Sequence, residues 1–149
     1  MPGLEDLYRE IILDHYRSPR NRGELPPPAV RTEGHNPLCG DEIQVYLAVQ
    51  NGFVSDVKIS GQGCSISQSS ASMMSAAVKG KPIAEVRSIV RCFKSMMTIE
   101  EDSETEAQDE KVKLGDLEAL QGVVKFPVRI KCATLAWNTL LQGLDEATA

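Results

Sequence analysis

The chain has 149 residues, 42% of them hydrophobic and 25% charged, the balance of one globular domain with enough length for a core. A formal net charge of −5 argues against nucleic acid and anionic membrane as main partners. The charge is local: Glu100 to Glu110 holds seven acids and no bases, so the remainder carries −5 + 7 = +2.

In chain order, Leu4, Leu7, Tyr8, Ile11, Ile12 and His15 follow helical spacing, and Ser18-Pro19 predicts an end near Arg17. This stretch is amphipathic and charged, unlike an apolar leader, and no run approaches the length of a membrane span. The expectation is a cytoplasmic protein with reduced thiols, in which four cysteines point to metal or catalysis more than to disulfides. Pro19 to Val30, with Pro26 to Pro28 in a row, predicts an extended surface loop. The chain is expected to run extended after Pro37. Ile43, Val45, Leu47 and Val49 alternate as in a half-buried strand, and Phe53, Val57 and Ile59 are assigned to one face of a second. Asn51-Gly52 between them predicts a hairpin. A three-residue loop, Gln50-Asn51-Gly52, would set Val45 against Val57 and Ile43 against Ile59, with Gly52 left-handed.

Ser65-Ile66-Ser67-Gln68 has the form of a capping box, which predicts a helix starting just after Cys64, with Ile66, Met73, Ala77 and Val78 inward and Gly80 at its end. Pro82 opens a third helix with the stripe Ile83, Val86, Ile89, Val90, Phe93 and Met97. The acidic run near 100–110 reads as an exposed loop. Leu114, Leu117 and Leu120 suggest a short helix ending at Gly122, and Pro127 leads into a last helix with Leu135, Ala136, Thr139 and Leu140 inward. The order defines one α+β domain over 1–149, a small antiparallel sheet with helices packed on one face.

The chemistry gathers at His35-Asn36-Pro37-Leu38-Cys39-Gly40-Asp41, where a thiol and a carboxylate flank a glycine. Cys64 follows Gly61-Gln62-Gly63, and Cys132 ends Pro127-Val128-Arg129-Ile130-Lys131-Cys132. A cysteine in an apolar stripe is usually only a small hydrophobe. Cys39 and Cys64 sit beside glycine in turn-like sequence instead, and Cys64 precedes a helix start, where the positive dipole end favours a thiolate. One metal bound by Cys39, Asp41, Cys64 and Cys132 fits these settings, although the dispersed spacing lacks CxxC pairs and leaves unrelated buried thiols open.

Four segments, LYREIILDHYRSPRNRG from Leu7, NPLCGD from Asn36, GQGCSISQSSASMM from Gly61 and FPVRIKCATLAW from Phe126, resemble the SufU branch of the IscU/NifU-like family of iron–sulfur cluster assembly proteins. The resemblance covers nearly the whole chain. It implies that Cys39, Asp41, Cys64 and Cys132 gather at one site, that the metal is zinc, and that sulfur arrives from a pyridoxal-phosphate cysteine desulfurase (SufS-like) on its way to a downstream assembly scaffold. IscU-type scaffolds carry a histidine where this chain has Lys131, and they are shorter between the last two cysteines; both departures resemble SufU. The alternative implied by the wider family is a scaffold for a labile [2Fe–2S] cluster or iron on the same residues. Three thiolates and a carboxylate suit tetrahedral zinc. Such a site is closed, so one ligand must leave before its sulfur attacks, and Cys39, beside Gly40, is the candidate acceptor.

Arg129, three residues before Cys132, is a candidate to stabilise the anionic site or touch a partner. Lys131 reads as solvated, Cys92 as an inert buried thiol, His15 as a satisfied core histidine, and His35 as a surface loop histidine that rivals the ligands by position alone. Met73-Met74 and Met96-Met97 fit core packing.

Overall fold

A computed structural model describes residues 2–37, 40–97 and 115–148, with side chains from Leu7 onward. Helix α1 (Pro2–Arg17) is followed by strands β1 (Val30–Asn36), β2 (Asp41–Gln50) and β3 (Phe53–Gln62). Helices α2 (Ser65–Val78) and α3 (Ile83–Met97), a 3-10 helix (Gly115–Lys125) and helix α4 (Pro127–Ala147) complete the chain. The strands form an antiparallel sheet in the order β1-β2-β3. Helix α4 packs on β1 and β2 while α2 packs on β3 and α4, which gives the expected α+β architecture. Cys39, Leu114 and the acidic run Glu100–Glu110 lie outside the described residues.

The sheet buries Ile43, Val45, Leu47, Val54, Val57 and Ile59 against the helices. The predicted three-residue loop is not what sets this register. Asn51 and Gly52 make a tight turn with φ of 54° and 81°, and near it Gln50 faces Phe53 and Val49 faces Val54. Ala48 then faces Asp56, so Ser55 is an extra residue in a β-bulge, its hydroxyl donating to the Ala48 carbonyl at 3.1 Å. Beyond the bulge Val45 faces Ile59, Ile43 faces Gly61 and Leu47 faces Val57. The apolar faces are matched by a bulge rather than by a longer loop, because the bulge shifts the side-chain phase by one residue. It also turns Val54 inward and leaves Phe53 47% exposed, against the expectation for Phe53. Gly52 has the predicted positive φ.

Strand β1 lies in a stretch for which the sequence suggested no strand. After Val30, its inward positions are Thr32, Gly34 and Asn36, none of them apolar. Small residues are needed because α4 lies directly on them: a Cβ at Gly34 would overlap Thr139 Oγ1 and stand 3.0 Å from Leu135 Cδ1. The Thr32 hydroxyl donates to the Thr139 carbonyl at 3.1 Å.

Helix α1 ends at Arg17 as expected. Leu7 is 55% exposed and does not join the stripe, while Ile11 and Ile12 pack on the core. His15 is 2% exposed and bridges Ser72 Oγ (2.8 Å) and Asp116 Oδ2 (3.0 Å), tying α1 to α2 and to the 3-10 helix. The following loop is pinned along β3 and α2: Asn21 O accepts from Ile59 N at 2.9 Å, Arg20 N donates to Ser72 Oγ at 2.8 Å, and Asn21 Nδ2 donates to Ser75 Oγ at 3.1 Å. The serines of α2 thus satisfy buried polar groups while letting neighbours approach closely. Ser70 does this for α4, accepting from Trp137 Nε1 at 3.0 Å, with the indole stacked on Phe93 at 4.4 Å between ring centroids.

The stripe of α3 is buried as predicted at Val86, Ile89, Val90, Phe93 and Met97. Gly80, with φ of 80°, follows the end of α2. The short helix expected at Leu117 and Leu120 is the 3-10 helix, which buries both and runs past Gly122 to Lys125.

Candidate metal centre

Asp41 opens β2 and pairs with Asn36 across the sheet. Pro37 and Gly40 each lie in a turn and Gly40 has φ of 68°, where an extended run was expected; Leu38 and Cys39 lie outside the described residues. A left-handed residue here favours glycine. The Asp41 side chain points into the protein, 1% exposed. Its Oδ1 accepts the Cys64 backbone N–H at 2.9 Å, and its Oδ2 lies 3.9 Å from Cys64 Sγ.

Cys64 itself is the N-cap of α2: Sγ accepts the Ser67 N–H at 3.5 Å. The predicted helix start holds, but the capping box does not form, and Gln68 Nε2 is buried without a hydrogen-bond partner among the described residues. At a helix N-terminus the sulfur sits where backbone N–H groups favour negative charge. Gly63 permits this approach, since a Cβ there would overlap Asp41 Oδ1 and lie 2.7 Å from Ser67 Oγ. Cys132 comes from α4, fully buried.

The donor atoms of Asp41, Cys64 and Cys132 all lie within 4.8 Å of one another. Tetrahedral zinc with sulfur bonds of ~2.3 Å places neighbouring donors ~3.5–3.8 Å apart, so these three need only small movements to share one ion. The set is soft and anionic, as zinc prefers. Cys39, the fourth expected ligand, lies outside the described residues.

A residue that the sequence did not single out lies beside them. Asn36, 6% exposed at the end of β1, donates from Nδ2 to Asp41 Oδ2 at 3.4 Å and to Cys132 Sγ at 3.5 Å. Its only sequence signal was its place beside Pro37 in the same motif as the ligands.

The remaining candidates separate. Arg129 is exposed and lines a cleft of about 830 Å³ with Tyr8, Ile12, Ser65, Ile66 and Phe126. Lys131 is exposed, as expected. His35 is on β1, not in a loop, and the alternation that buries Asn36 turns it outward, 3.5 Å from Glu33 and 3.9 Å from Glu42. Cys92, expected to be a buried thiol, is partly buried in α3 and lies outside the cluster. Among the described residues no helix is long and apolar enough to cross a membrane.

Fold and donor set together define an α+β protein in which two cysteine sulfurs and a carboxylate converge closely enough to hold a metal ion. The chain belongs to the NifU-like N-terminal domain family, whose model matches residues 7–144. It is 48% identical to the zinc-dependent sulfurtransferase SufU of Bacillus subtilis over 96% of this chain and 92% of that one. It is 40% identical to the iron–sulfur cluster assembly scaffold protein IscU of Thermotoga maritima, over 94% of each. A solved SufU structure from Fervidobacterium islandicum superposes with a TM-score of 0.77 at 30% identity, covering 89% of this chain and 93% of the other. The N-terminal NifU-like protein of Brucella abortus, at 22% identity and a TM-score of 0.82 over 97% and 96%, shares the fold.

Proposed function

We propose that this chain is a zinc-dependent sulfurtransferase that accepts sulfur from a pyridoxal-phosphate cysteine desulfurase and delivers it to iron–sulfur cluster assembly. The observation that carries this reading is the convergence of Asp41, Cys64 and Cys132, with donor atoms within 4.8 Å, in a chain 48% identical to a sulfurtransferase of that description. Cys39 completes the ligand set, two residues from Asp41. Zinc, when bound, has no redox chemistry and holds its thiolates deprotonated.

Asp41, Cys64 and Cys132 are each held by a strand start or a helix, so they are the anchored donors, and Cys39 is the one that leaves. Its thiolate attacks the outer sulfur of the desulfurase persulfide. A new S–S bond forms on Cys39, the S–S bond of the desulfurase breaks, and the desulfurase cysteine departs as a thiolate, with no net oxidation. Arg129, exposed beside both helix starts, contributes positive charge where an anionic partner segment would arrive.

A [2Fe–2S] scaffold on the same residues is the second reading, favoured by the identity to IscU proteins. Metal analysis of protein purified without added iron separates them. The sulfurtransferase reading expects about one zinc per chain and a colourless solution; bound iron with visible absorbance would favour the scaffold.

A further inference from the structure

The Asn36 Nδ2 lies between two metal donors without being able to act as one. A side-chain amide nitrogen has two hydrogens and no free pair to give. Its neighbours, the Asp41 carboxylate and the Cys132 sulfur, are acceptors when ionised, so turning the amide over would press its carbonyl oxygen against two anions. The Nδ2 orientation is therefore fixed by chemistry as well as by the distances of 3.4 Å and 3.5 Å. Asn36 is 6% exposed and cannot drift, because β1 pairs it with Asp41 itself.

We propose that Asn36 is the positioning residue that holds Asp41 and Cys132 together as a fixed part of the metal site, leaving ligand exchange and sulfur acceptance to Cys39. This rests on the metal-site reading above. Each N–H drains charge from the donor it touches, so Asp41 and Cys132 are less nucleophilic and better oriented than a donor without such a bond. The amide also offsets part of the negative charge that collects when three thiolates and a carboxylate surround one divalent ion. Loss of such an outer partner typically weakens metal binding by about 10–100-fold.

The test uses Asn36→Ala, which removes the donors, and Asn36→Leu, which removes them while keeping most of the volume. Zinc affinity is read by competition with a chromophoric chelator, and the sulfur-to-metal charge-transfer band by loading cobalt(II). The secondary structure of each variant is checked by circular dichroism. Both variants are expected to bind zinc about 10–100-fold more weakly than the wild type. The cobalt band is expected at lower energy, because a thiolate that has lost an N–H donor gives its electrons more easily. Wild-type affinity in Asn36→Leu alone would mean that Asn36 only fills space, and would overturn the proposal. Affinities within twofold of wild type in both variants with an unmoved band would overturn it as well. If the wild type itself took up neither zinc nor cobalt, the metal-site reading would fail, and this inference with it.

Discussion

Gly63→Ala tests whether the Asp41 carboxylate is built into the site. A Cβ at this position would overlap Asp41 Oδ1, lie 3.0 Å from Asp41 Cγ and 2.7 Å from Ser67 Oγ. The Ser67 hydroxyl can rotate away, but the overlap with Oδ1 is relieved only if the carboxylate moves. Moving it breaks the 2.9 Å bond from the Cys64 N–H, a hydrogen bond to a charged group that contributes about 1.5–3 kcal/mol. It also draws Oδ2 away from Cys64 and Cys132. An outer-partner loss of about 10–100-fold in metal affinity corresponds to about 1.4–2.7 kcal/mol, the same range reached independently. Apparent zinc affinity is measured by chelator competition, alongside urea melting of the metal-free protein. The expected result is weaker zinc binding by one to two orders of magnitude, with a separate overpacking cost of about 1–3 kcal/mol in the melt. A folded variant with affinity within twofold of wild type would refute the argument that these contacts aim the carboxylate.

Other substitutions test the frame around the site. Gly34→Ala should destabilise the fold by about 1–3 kcal/mol through its clash with Thr139, and adding Thr139→Ala should recover part of that loss; additive urea midpoints would show that β1 and α4 do not meet there. Gly52→Ala meets no atom within 4 Å, so its cost is the left-handed backbone alone, about 1–2 kcal/mol, and zinc affinity should be unchanged; equal stability would contradict the assigned turn. Asp14 is held below the usual carboxylate range, first by its hydrogen bond from Arg20 at 2.6 Å and then by the charge of Arg20. A depressed folded value means that this contribution to stability is present above the ordinary carboxylate pKa and is lost as pH falls through the native one. NMR titration should show the Asp14 midpoint rising in Arg20→Ala, and an unmoved midpoint would reject the pairing.

The helices were legible because their stripes are apolar: Val86, Ile89, Val90, Phe93 and Met97 in α3 are all buried. Strand β1 was not, since the positions it turns toward α4 and the site are Thr32, Gly34 and Asn36, suited to close approach rather than to hydrophobic burial. The hairpin register failed for a related reason. A bulge at Ser55 changes the phase of β3 without any residue type that announces it, and alternation alone could not locate it. Asp41 and Cys64 were legible as metal-binding residue types beside glycines, whereas Cys132, between Lys131 and Ala133, joined them through the family resemblance. Asn36 was not, because an asparagine before proline reads equally well as a turn residue. Cys64 as its own helix cap was also hidden, since Ser65 offered a more familiar one.

Sulfur acceptance is assigned to Cys39 alone among the proposed zinc ligands. The most direct measurement incubates the zinc-loaded protein with a pyridoxal-phosphate cysteine desulfurase and cysteine, then reads the mass of every cysteine-containing peptide without reduction. A gain of one sulfur atom is expected on the Cys39 peptide, abolished in Cys39→Ser, with the Cys64 and Cys132 peptides unmodified. Sulfur on Cys64 or Cys132 with Cys39 untouched, or on no peptide at all, would contradict it.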